Sequence, residues 1–330
     1  MAWCVKGQAR RVAARLGWSV VLVASLWQLG CAPAHAPASA AAPAEVPAVA
    51  PPHDWPELTE DERASRVRID AYLGKLNGAL ASRDRAHPWE LADTADFLVH
   101  ELEAMGVEAV RQGATDGEIA IIDLSAGFAG GSRGDQRIVI ASRYDTAGAE
   151  GSGSSERIAL LLELARALRG AHFERSVRIA LFSVDELSES RARRVFGVEG
   201  TDSADGRSGV EGVVWLGAPA GVPAAVGSAS NDPIELELRA QVGAEGQTAA
   251  FEEATEGAPF QWNRMEGASE SAAQLFAKLG LRVTEVRTVR PIGSEEAARL
   301  ASRLRFGVAR LAGETLTNDG TLTPLYPALR

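Results

Sequence analysis

Cysteine and histidine are scarce in this chain, which has two of the first and five of the second in 330 residues. The histidines are His35, His53, His87, His100 and His172, so nothing beyond position 172 can supply an imidazole ligand. Cys4 and Cys31 both lie in the amino-terminal tenth, which excludes a disulfide framework for the body. Basic charge is in deficit as well, with 34 Lys and Arg against 44 Asp and Glu and a net charge of -10. Both signs are interspersed, so no basic patch points to nucleic acid as a partner. No internal repeat is present, and no apolar run approaches the roughly 20 residues that span a bilayer. What the chain does have is core material: 46% of residues are hydrophobic, enough for a single enzyme-sized domain.

The amino terminus reads as an export signal. Lys6, Arg10, Arg11 and Arg15 precede an apolar stretch from Leu16 to Leu29. The stretch ends in Gln28-Leu29-Gly30-Cys31, which resembles the lipobox of bacterial lipoproteins, in which cleavage before the cysteine leaves its thiol to carry lipid. Loss of residues 1–30 also removes Cys4, leaving Cys31 as the one thiol of the mature chain. An unpaired thiol is a liability in an oxidising compartment, and acylation removes it. Cleavage at Ala32-Pro33-Ala34 or Ala34-His35-Ala36 is the alternative, giving a secreted soluble protein. Residues 31–56 are rich in Ala and Pro and suit an extended tether. Residues 57–330 form the expected globular domain, and removing the signal takes the formal charge from -10 to -14.

Within the body, helices are expected over Glu60 to Leu80, Trp89 to Met105, Glu156 to Leu168, Ala268 to Leu279 and Ser294 to Leu311. Short apolar runs suited to strands occupy Ile119 to Leu124, Arg137 to Ala141, Val177 to Phe182, Gly212 to Leu216, Ile234 to Ala240 and Arg282 to Val286. The segment from Gln241 to Gly267 shows no readable period. This alternation implies an α/β three-layer sandwich with a mostly parallel central sheet.

Sites in open α/β sheets gather at the carboxyl ends of strands. Here one strand runs into Ser142-Arg143-Tyr144-Asp145, ahead of a Gly/Ser-rich loop and the helix IALLLELARAL; the next runs into Ser183-Val184-Asp185-Glu186-Leu187. The order RYD, LLELARAL, FSVDEL resembles the zinc aminopeptidases of clan MH, which include secreted bacterial leucyl aminopeptidases and glutamate carboxypeptidases. The resemblance covers roughly Glu60 to Leu311 and is most specific from Arg137 to Leu187. It implies a zinc aminopeptidase/phosphorylase-like fold and, in intact members, two zinc ions bridged by a carboxylate and a water, with a glutamate as general base.

Carried over position by position, the family's metal ligands are mostly missing. Arg143 stands where the family has histidine, and a guanidinium has no lone pair to give a metal. Asp145 remains but has lost the imidazole it would orient. The bridging aspartate falls on Gly151, Ser152 or Gly153, with Glu150 the nearest carboxylate. Asp185 takes the general-base position one methylene short, and Glu186 keeps the metal-binding glutamate. The next ligand falls on Val214 or Trp215, and no histidine follows to supply the last. Arg143 is therefore expected to fill the vacated metal position and to pair with Asp145, Asp185 or Glu186, since an arginine fork offsets the cost of buried carboxylates.

The expected protein is a lipoprotein of the bacterial cell envelope, anchored through Cys31, whose metallopeptidase-like domain needs no cofactor and holds peptides or another protein in the former cleft. The alternative is an active zinc-dependent aminopeptidase. A nucleotide site at Gly151-Ser152-Gly153 is disfavoured, because Glu156 stands where the dinucleotide fingerprint needs glycine and no Walker lysine follows. His87 and His100 lack metal-ligand spacing and are expected on helix surfaces.

Overall fold

A computed structural model describes residues 55–116, 119–146, 153–183, 187–196, 209–219, 233–241, 243–256, 258–268 and 270–313, all within the unit Pro51–Arg330. The signal, Cys31 and most of the tether lie outside the described residues, as do Glu150, Asp185 and Glu186.

Eight strands form one sheet: β1 (Ala109–Asp116), β2 (Ile119–Phe128), β3 (Gly130–Arg143), β4 (Phe173–Phe182), β5 (Val210–Leu216), β6 (Ile234–Ala240), β7 (Phe260–Glu266) and β8 (Val283–Thr288). Their order across the sheet is β1-β2-β4-β3-β5-β8-β6-β7. The central strands β4, β3, β5 and β8 run parallel, as do β6 and β7, while β1/β2, β2/β4 and β6/β8 are antiparallel. The mostly parallel sheet expected from the alternating elements is thus present.

Period-two alternation sorts the central strands onto two cores. Ile138, Ile140, Ile179, Val214 and Leu216 face one side, packed with α1 (Glu60–Asn77), α2 (Pro88–Ala104), α3 (Ser154–Leu168), α5 (Glu245–Thr255) and α7 (Ser294–Ala312). Val139, Ala141, Phe182, Val213 and Trp215 face the other, under α4 (Glu189–Phe196) and α6 (Ser271–Lys278). The smaller core is aromatic: Phe276 lies 5.0 Å from Phe196 and 5.6 Å from Trp215, ring centre to ring centre.

Local signals explain the helix ends. Thr59 and Glu62 form a reciprocal capping box that starts α1, and Pro88 occupies the first turn of α2, where its missing N–H costs nothing. α3 is sheathed on nearly every side. Its one inward acid toward α1, Glu163, is gripped by Arg68 through two bonds of 2.8 and 2.7 Å.

Four elements were not expected: β1, α4, α5 and β7. β1 and β7 are the two edges of the sheet, where one flank has no strand to impose a pattern. α5 buries Gln247, Thr248, Ala250 and Ala254 beside a single large apolar residue, Phe251, so its stripe is too polar to show a helical period. α4 buries an arginine, Arg191, on Asp123 of β2. The helix expected from Ala268 starts instead at Ser271, with Glu270 as its N-cap residue.

Candidate functional site

The carboxyl ends of β3, β4, β5 and β8 meet at one place. Tyr144 N–H donates to the carbonyl of Phe182 at 3.0 Å, and Ser142 Oγ donates to the carbonyl of Leu216 at 3.0 Å, lacing β3 to both neighbours. Just past these contacts Arg143 turns back on Asp145. Nε donates to Oδ1 at 2.9 Å and Nη2 to Oδ2 at 2.6 Å, a bidentate fork between side chains that are 5% and 0% exposed. Both carboxylate oxygens of Asp145 are thereby engaged.

Two further guanidiniums surround this pair. Arg83, wholly buried, donates to the carbonyls of Leu76 and Leu80 at the end of α1, to that of Tyr144, and to the hydroxyls of Ser154 and Ser155 that open α3. Burial pulls its pKa down to about 10, with the charge of Asp145 opposing the shift. Arg157, in the first turns of α3, lies 3.8 Å from Glu270. Its pKa is also lowered by burial, while Glu270 holds it up and Arg143 adds to the lowering.

Glu270 is the hub on the β5 side. Trp215 Nε1 donates to its Oε2 at 2.9 Å, and the Ala218 N–H donates to its Oε1. Burial raises its pKa, against the opposing pull of Arg157, the Ala218 N–H and the indole. A second buried acid, Glu285 on β8, stands 3.6 Å from Arg287, whose Nε donates to the Ala218 carbonyl at 2.6 Å. Gly217 makes this crossing possible. A Cβ there would fall 2.9 Å from carboxylate oxygens of both Glu270 and Glu285 and 2.8 Å from Arg287 Cγ.

Of the site residues expected from sequence, Arg143 and Asp145 are together, and Asp185 and Glu186 lie outside the described residues. Val214 faces the larger core and Trp215 the smaller one, where its indole serves Glu270. His87 is a surface residue bound to Asp84 at 2.8 Å, and His100 is exposed on α2. Sequence reasoning missed Arg83, Arg157, Glu270, Glu285 and Arg287. One signal was available: Arg157 is a charge directly ahead of the uninterrupted apolar run 158–162 in α3, where a solvent-facing pattern would break.

No protein-family model matches the sequence, and no curated protein matches it in sequence. Solved structures match it in shape. A glutaminyl cyclase from Macrostomum lignano superposes with a TM-score of 0.57 at 14% identity, covering 79% of this chain and 95% of its own. BSAP, a zinc aminopeptidase from Bacillus subtilis, gives 0.57 at 9% identity, covering 78% and 96%. The chain has the zinc aminopeptidase fold. A glutaminyl cyclase from Fimbriiglobus ruber, at 0.53 and 15% identity over 78% and 97%, shares this aminopeptidase fold as well. At these identities the likeness concerns the arrangement of helices and strands, which is what the RYD and FSVDEL motifs implied.

The described residues at the strand ends do not fit zinc. Guanidinium is a donor without a lone pair, both Asp145 oxygens accept from Arg143, and both Glu270 oxygens accept from the indole and a backbone N–H. Among the described residues no three His, Cys, Asp or Glu side chains stand close enough to share an ion. The arrangement offers fixed positive charge, one carboxyl held above its ordinary range, and an adjoining cleft.

Proposed function

We propose that this chain is an exported lipoprotein whose aminopeptidase-fold domain is catalytically inactive and works as a binding or scaffold module. The observation that supports this most directly is the Arg143–Asp145 fork at the end of the central strand. A cation fixed at that point opposes a metal ion by charge and engages the carboxylate that would orient a ligating imidazole. The buried carboxylate of Asp145 is compensated by an arginine instead, a stable arrangement only when the hydrogen bonds are good, as the bonds of 2.9 and 2.6 Å here are. Cys31 carries the lipid in this reading, and the Ala/Pro-rich segment after it spaces the domain from the membrane of the cell envelope.

The test is zinc. The purified protein is titrated with Zn²⁺ by calorimetry at neutral pH, then assayed for chelator-sensitive release of a fluorophore from an aminoacyl conjugate. The expected result is no tight binding and no release. Tight binding together with chelator-sensitive release would make the protein a zinc-dependent aminopeptidase and overturn the proposal.

A further inference from the structure

Among the described residues, β7 forms one edge of the sheet and has a neighbouring strand, β6, on one flank only. The Gly267 N–H donates to the Ala240 carbonyl, and the Pro259 carbonyl accepts from the Ile234 N–H, so the odd-numbered residues turn their backbone groups toward β6. Alternation then turns the N–H and C=O of Trp262, Arg264 and Glu266 outward. Phe260 belongs to the same outward set, but its N–H is already given to the Ala258 carbonyl at 2.7 Å. An open edge invites pairing with another chain, and proteins commonly blunt it with proline or with charge. β7 has no proline, and its two charges, Arg264 and Glu266, have opposite signs two residues apart. Between them Met265 is 43% exposed on the other face of the strand.

We propose that this edge binds a second copy of the chain: β7 pairs antiparallel with β7 of the partner in a register centred on Met265, joining two sheets into one. The register follows from the backbone. Opposite residues of a hydrogen-bonded antiparallel pair both turn their groups toward each other, so even-numbered residues must face even-numbered ones. A centre at Arg264 sets guanidinium against guanidinium, and a centre at Glu266 sets carboxylate against carboxylate, both unfavourable. A centre at position 263 needs Phe260 to donate to Glu266 across the interface, and that N–H is taken. A centre at Met265 sets Arg264 opposite the partner's Glu266 and Glu266 opposite the partner's Arg264, so one edge supplies both halves of two opposite-charge pairs. It also brings the two Met265 side chains together as a non-hydrogen-bonded pair, where side chains approach most closely. Arg264 has donors for this contact. Its fork onto Glu252 of α5 uses Nε and Nη2, and a guanidinium carries two more hydrogens on Nη1. The inference is independent of whether the domain binds zinc.

The full chain is expressed with Met265→Cys or with Asn263→Cys, extracted in detergent, oxidised with copper phenanthroline and run on a non-reducing gel. Non-hydrogen-bonded partners stand about 4.5 Å apart between Cα atoms, within disulfide range. Position 263 pairs with Gly267 in this register, so its own counterpart is about 13 Å away at roughly 3.4 Å per residue, out of range. Met265→Cys is expected to give a dithiothreitol-sensitive dimer well above Asn263→Cys and above wild type, which reports any contribution of Cys4 and Cys31. By size-exclusion chromatography with light scattering, wild type in detergent should be dimeric at micromolar concentration. Glu266→Arg and Arg264→Glu each place two like-charge pairs in the interface and should weaken dimerisation at least about tenfold. Mixed together, the two variants regain two opposite-charge pairs and should form a heterodimer. A monomeric wild type, a mixture that stays monomeric, or no excess of cross-linking at 265 over 263 overturns the interface. Should Arg264→Glu, which also loses Glu252, fail to fold, the two cysteine variants decide alone.

Discussion

Replacing Arg143 by Met keeps an unbranched apolar stem but removes the fork from Asp145, which is 0% exposed. Breaking a buried ion pair by deleting one partner costs about 3 to 5 kcal/mol, because the remaining charge stays desolvated. Here two features temper the loss. Arg83 and Arg157 both feel the charge of Asp145, and removal of Arg143 relieves its repulsion of Arg157. The lower end of the range, about 3 kcal/mol, is therefore expected. Asp145→Leu should cost a similar amount by stranding Arg143. The double variant removes both charges at once and should lie within about 1.5 kcal/mol of wild type, because a buried pair exchanged for apolar groups is often close to neutral. Urea denaturation followed by circular dichroism gives the four free energies, with an unchanged slope showing that each variant unfolds from a comparable state. The cycle should return a coupling of about 4 kcal/mol or more. A coupling below about 0.5 kcal/mol would mean that the two side chains act independently, and the argument for a guanidinium compensating this carboxylate would be refuted.

Glu270 makes stability depend on pH in a defined direction. Burial raises its pKa above the ordinary 4.5, so the stability it contributes is fully present below the unfolded value and is lost as pH rises through the folded one. Glu270→Gln cannot ionise, so the wild type's stability relative to this variant should decline as the pH is raised through the mildly acid range, measured as denaturant midpoints at several pH values; a constant difference would count against the buried-acid argument. Cys31→Ala should move the protein from the membrane to the soluble fraction of expressing bacterial cells and abolish incorporation of a labelled fatty acid. Retention of the label on the variant would place the lipid elsewhere or remove it from the account.

Much of the fold was legible because the central strands are buried on both faces. Arg137 to Ala141, Val177 to Phe182 and Gly212 to Leu216 read as near-continuous apolar runs, and Ile234 to Ala240 alternates as an outer strand does. The edges and the helices with polar stripes were not legible. β7 has an exposed flank, and α5 turns Gln247 inward to meet Thr284 of β8 at 2.9 Å, a contact whose partner lies 37 residues away. The site divides in the same way. Arg143 and Asp145 are two residues apart, so a motif could join them. Arg157 and Glu270 are brought together only by packing α3 and α6 around the end of β5, and no local pattern announces a pair that distant.

The missed residues change what the absence of histidine means. A lost imidazole alone would leave buried acids facing each other at the strand ends, and the cheapest outcome would be protonated carboxyls or a cleft open to water. Instead the same region holds Arg83, Arg143, Arg157 and Arg287 against Asp145, Glu270 and Glu285. Arg83 joins α1, the segment after β3 and α3, Arg157 of α3 faces Glu270 ahead of α6, and Arg287 of β8 bonds to the segment after β5, so these arginines also tie the elements together. A metal ion organises strand ends by drawing donors inward to one point. Guanidiniums do so through directed N–H groups spread over several ångströms, which leaves room between them. A cleft lined by Leu160, Leu216, Glu156, Arg157 and Arg287 adjoins that room.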